Sequence, residues 1–80
     1  MRKYLTALIE EKGRGLDDEI KIDGHIGFTY QILIDCIEDV PQFHDEIKTK
    51  LVEIDFKNGD VFHYLDFLAN AVIRARNGEV

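Results

Sequence analysis

His63 and Asp66 stand three residues apart, a separation that on a helix puts an imidazole and a carboxylate on adjacent turns of one face. A carboxylate so placed can hold a histidine in one tautomer, which is where general-base chemistry begins. Asn70 and Arg74 follow at four-residue steps, so His63, Asp66, Asn70 and Arg74 make a polar stripe spanning about 80° of a helix. The rest of a nucleophilic site is missing. The chain has no serine, and its one cysteine, Cys36, falls among apolar residues, where a thiol is inert packing. A small metal-binding or hydrolytic protein using His63 and Asp66 is therefore an alternative reading, and a chain without catalytic residues is the expectation.

Metal and cofactor motifs point the same way. His25, His44 and His63 lie at unrelated spacings without a H-E-x-x-H or Cys/His pattern, and no D-x-[DN]-x-[DN]-G calcium loop occurs. In "FHDE" at 43–46, adjacent residues leave a helix in different directions, so His44 need not meet Asp45 or Glu46. "GRG" and "GHIG" lack the glycine spacing and lysine of a phosphate loop and read as turns. No cofactor is expected.

Charge is the more informative feature. The chain of 80 residues carries a formal −6, and between Leu16 and Glu46 nine acids face Lys21 alone, a balance of −8 that leaves +2 for the rest. Asp35, Glu38 and Asp39 gather at the end of one expected helix, where the helix dipole disfavours negative charge, and Asp45 and Glu46 stand just across a turn. These five acids are a candidate docking corner for a basic partner. A second candidate is apolar: Val52 and Phe56, an i,i+4 pair, point more than 90° away from the stripe Phe43, Ile47, Leu51 and Ile54. They are covered either by the first helix or by a partner, a second copy included. Direct nucleic-acid binding is disfavoured, because it runs on phosphate neutralisation by Lys and Arg.

Positioning these groups requires an all-α bundle of about four helices. Tyr4, Leu5, Leu8 and Ile9 define the first over 2–12, which Gly13 stops in a left-handed cap. Ile20 and Ile22 alternate with charged residues, allowing a short extended piece at 19–22 or an irregular connector. Asp23 caps a second helix over 24–39, whose apolar arc (Ile26, Tyr30, Ile32, Leu33, Ile34, Cys36, Ile37, Val40) covers about 200°. Pro41 opens a third over 41–57, although Val52, Ile54 and Phe56 also fit a strand. Asn58-Gly59 ends that helix. Asp60 caps a fourth over 60–76, because Val61-Phe62 and Tyr64-Leu65 break strand alternation but suit a helix.

Residues 1–77 are expected to form one domain and 78–80 a flexible tail. No apolar run approaches the roughly 18 residues of a membrane span, no cleavable leader is expected, and a single cysteine suits a reducing cytoplasm. In general style the short, acidic, serine-free chain is similar to small accessory proteins of bacteria and their phages. The leading expectation is a protein-protein interaction module or small regulator, able to dimerise. An acidic DNA mimic that inhibits a nucleic-acid enzyme is a further alternative.

Overall fold

Backbone geometry at two helix ends decides where the chain turns. The computed structural model describes residues 1–76 and Gly78; apart from Gly78, the expected tail at 78–80 lies outside the described residues. Helix α1 (Arg2–Glu11) stops at Gly13, whose φ of 92° only glycine adopts freely. Arg14 N–H then donates to the Ile9 carbonyl and Gly13 N–H to that of Glu10, satisfying the last carbonyls of the helix. Helix α3 (His44–Phe56) ends the same way, with Asn58 in the left-handed position (φ 57°) and Gly59 N–H donating to the Ile54 carbonyl at 2.8 Å. A Cβ at residue 59 would stand 3.0 Å from the Ile54 side chain, a close approach that glycine avoids. Asp60 Oδ1 accepts from Phe62 N–H at 2.9 Å and so caps α4 (Val61–Arg76), as the sequence suggests.

The expected second helix starts six residues late. Gly24 and Gly27 sit at φ 79° and 82°, outside right-handed helical space, and α2 spans only Tyr30–Glu38. Asp23 is not its cap. Thr29 is, its hydroxyl accepting from Ile32 N–H at 3.3 Å. Residues 16–29 instead form an irregular hairpin-like arm with two isolated antiparallel bridges, Glu19 with Thr29 and Ile22 with His25, so the extended alternative at 19–22 is realised only as single pairs. Ile20 N–H donates to the Phe28 carbonyl, and the Glu19 carboxylate accepts from Gly27 N–H, both at 2.7 Å. The alternation then pays off in packing, because Ile20, Ile22 and Phe28 turn into the core while Ile26, assigned to the helical arc, is 98% exposed.

Pro41–Phe43 form a 3-10 turn, so α3 begins at His44 instead of residue 41. That turn shifts the phase, and Phe43 stands 48% exposed, off the stripe that Ile47 and Leu51 bury and Ile54 half-buries. The strand alternative for 51–57 does not hold; the segment is helical to Phe56. Around the core lie Leu5, Leu8 and Ile9 of α1, Tyr30, Leu33, Ile34 and Ile37 of α2, and Val61, Phe62, Leu65, Ala69 and Ile73 of α4. With α1 and α4 against it, α2 is the central helix, as its wide apolar arc implies. Among the described residues the fold is a small all-α bundle of four helices, and none of them is long and apolar enough to cross a membrane.

Thr29→Ala is expected to lower stability by about 1 kcal/mol and Asp23→Ala by a few tenths at most. Urea unfolding of the two variants checks this, and the reverse order would mean that α2 starts at residue 24.

Candidate functional site

The acidic corner divides once its partners are traced. Arg2 of α1 donates to Asp35 Oδ1 at 2.5 Å, and the Gln31 amide donates to the same oxygen at 3.2 Å. The Arg2 hydrogen bond holds the Asp35 carboxyl below its ordinary range. Glu38 is half-buried, 4.0 Å from the Met1 amino group. These two acids bind the first helix to the second. Asp39, Asp45 and Glu46 stay exposed, Asp45 and Glu46 in the first turn of α3, where the helix dipole favours them. His44 is turned away from them, its Nε2 bonded to the Ile37 carbonyl at 2.7 Å, which ties the start of α3 to the end of α2.

Helix α1 does not cover Val52 and Phe56. It meets α3 on a neighbouring side, through the Lys12–Asp55 ion pair (2.5 Å) and Lys48 Nζ, 5.3 Å from the centre of the Tyr4 ring. Val52 is left 49% exposed and Phe56 85%. At 100° per residue Asp45, Thr49, Val52 and Phe56 fall within about 60°, directly opposite Ile47 and Leu51. Asp45, Lys48, Thr49 and Val52 line one shallow depression. Of the five acids, Asp45 therefore shares a helix face with the apolar pair.

The polar stripe of α4 is also where the sequence places it. His63, Asp66, Asn70 and Arg74 line one open concavity, together with Phe67, Ala71 and Ala75. Asn70 donates to the Asp66 backbone carbonyl at 2.9 Å, and burial raises the Asp66 carboxyl pKa against the opposing pull of Arg14 and His63. Among the described residues no group of three or more His, Cys, Asp or Glu side chains stands where it could hold a metal ion. Cys36 is half-buried and accepts from Arg76 at 2.9 Å, and burial raises its thiol pKa, the opposite of a reactive cysteine.

Two features escaped the sequence reading. Phe67, 64% exposed and stacked on Tyr64 at 6.2 Å, walls an apolar groove whose other side carries Phe43, Val40 and Glu46. Its helical phase was legible, but Phe67 was lost among the many apolar residues of α4. Arg14, read only as part of a turn, donates to the Tyr30 hydroxyl at 2.6 Å and lies 4.0 Å over the Phe62 ring, itself 5.7 Å from that of Tyr30. No local signal announces this, since the residues are distant in sequence.

Arg14→Ala removes a charged hydrogen-bond donor from the Tyr30 hydroxyl together with the guanidinium over the Phe62 ring, and is expected to cost about 1–3 kcal/mol. Tyr30→Phe should cost less in that background than in the wild type, and a denaturation double-mutant cycle reads the coupling. The Asp35 carboxylate contributes stability above its ordinary pKa and loses it as pH falls through the lowered folded value. Arg2→Ala is expected to return the Asp35 pKa toward the ordinary range, which side-chain carboxyl NMR titration measures.

No family model matches the chain, and neither the curated proteins nor the solved structures contain a significant match to it.

Proposed function

We propose that this protein is a non-catalytic interaction module whose docking face is the outer side of α3. Its partner is a protein segment that places apolar side chains against Val52 and Phe56 and a basic group at the N-terminal end, beside Asp45. The observation that supports this reading most is the exposure of Phe56, 85%, on the same side of the helix as Val52 and Asp45. Burying a phenylalanine side chain is worth about 1.5–3 kcal/mol, and an aromatic anchor in line with a second apolar residue is how a small interface concentrates its energy. Asp45, Glu46 and Asp39 add a negative field at one end, which orients the partner and speeds encounter. Enzymatic chemistry has less support, since His63 and Asp66 lie on an open face without a nucleophile beside them.

Capture of source-organism proteins by the tagged chain, in parallel with Phe56→Ser and with Asp45→Lys/Glu46→Lys, tests the proposal. The expected result is one protein held by the wild type, lost with Phe56→Ser, and bound several-fold more weakly by the double lysine variant at low salt. A partner retained equally by all three would overturn the assignment to α3.

A further inference from the structure

The outward face of α4 has a different character, one that fits a second copy of itself. His63, Phe67, Asn70 and Arg74 recur at steps of four, three and four, and at 100° per residue they fall within about 60°. That is the seam spacing of paired helices. Every residue lining the concavity along this face belongs to α4, and at its edge Phe67, Ala71 and Ala75 also line a groove shared with α2 and α3. Phe67 stands out of the face with its ring steadied by Tyr64, and beside it Ala71 and Ala75 are exposed and small, leaving room for an aromatic ring.

The charges are arranged to complement themselves. Asp66 lies in the first half of the helix and Arg74 in the second, eight residues and about 12 Å apart along the axis, too far to pair within one chain. Among the described residues Arg74 makes no hydrogen bond or ion pair, whereas Arg76 is bonded to Cys36. Two copies packed parallel and in register would set Asp66 against Asp66 and Arg74 against Arg74. Turned antiparallel about a two-fold axis at the level of Ala69, each Asp66 comes within about one helical turn of Arg74 of the other copy, an Arg side chain's reach. The same rotation lays Phe67 of each copy over Ala71 of the other.

We propose that this α4 face is a homodimer interface, formed by antiparallel packing of two copies with Asp66 of each paired to Arg74 of the other and Phe67 seated against Ala71. The inference rests on residues of α4 and uses neither Val52 nor Phe56, although Phe67 shares a depression with Asp45, Glu46 and Thr49 of α3.

Sedimentation equilibrium of the full chain over a roughly hundredfold range of concentration tests it. The wild type is expected to dimerise reversibly, and Asp66→Arg and Arg74→Asp alone to weaken the dimer at least about tenfold, since each sets like charges together. An equimolar mixture of those two variants is expected to associate again, because one chain then carries two positive and the other two negative groups at the paired positions. Phe67→Ser, with helical circular dichroism unchanged, is expected to be monomeric, and Phe56→Ser to dimerise as the wild type does. A wild type that stays monomeric throughout overturns the proposal. So does a mixture that fails to associate although both variants are folded, or loss of the dimer on Phe56→Ser.

Discussion

A tyrosine with no exposed surface cannot leave its hydroxyl unbonded, and much of this architecture follows from meeting that requirement at Tyr30. Its oxygen is reached by Arg14, from the loop after α1, and the guanidinium is held in turn over the Phe62 ring of α4. The Tyr30 backbone N–H donates to the Asp18 carbonyl, and that of Gln31 to Leu16. One residue at the start of α2 thereby fastens the arm at 16–29 and the fourth helix to the central one. In a chain of 80 residues, where the buried area leaves little margin, such a junction replaces packing that a larger core would supply.

The same economy governs the surface. Ile47 and Leu51 are the fully buried residues of α3, so a single narrow stripe attaches this helix and its opposite side is free to carry Val52 and Phe56. Helix α4 is broader in its burial, yet Phe67 remains outside it. Large apolar groups left in water on two helices add no burial to a small domain, which is the physical ground of the proposal that both faces bind.

Electrostatics divides by location in a comparable way. Asp35 and Glu38 lie against α1, where Arg2 and the amino group of Met1 offset the unfavourable dipole at the end of α2. Among the described residues Asp39, Asp45 and Glu46 make no ion pair, and the dipole of α3 supports Asp45 and Glu46. An acidic cluster that looks uniform in the sequence is thus partly structural and partly available.

Local chemistry, read along the chain, accounts for much of this. The helical period of α1, α3 and α4, the glycine stop at Gly13, the left-handed end at Asn58-Gly59 and the Asp60 cap are short-range effects, complete within a few residues, and so were visible in the sequence. The His63, Asp66, Asn70 and Arg74 stripe and the divergence of Val52 and Phe56 from the core were visible for the same reason. Residues 24–29 carry apolar spacing that continues through Ile26 and suits a helix, but left-handed Gly24 and Gly27 and the pairing of Ile20 with Phe28 exclude one there. Tertiary structure alone decided that Arg14 meets Tyr30, that Arg2 takes Asp35 out of the acidic corner and that α1 leaves Phe56 uncovered. Those outcomes depend on which helices become neighbours, a choice made by the whole core at once and carried by no single stretch of residues.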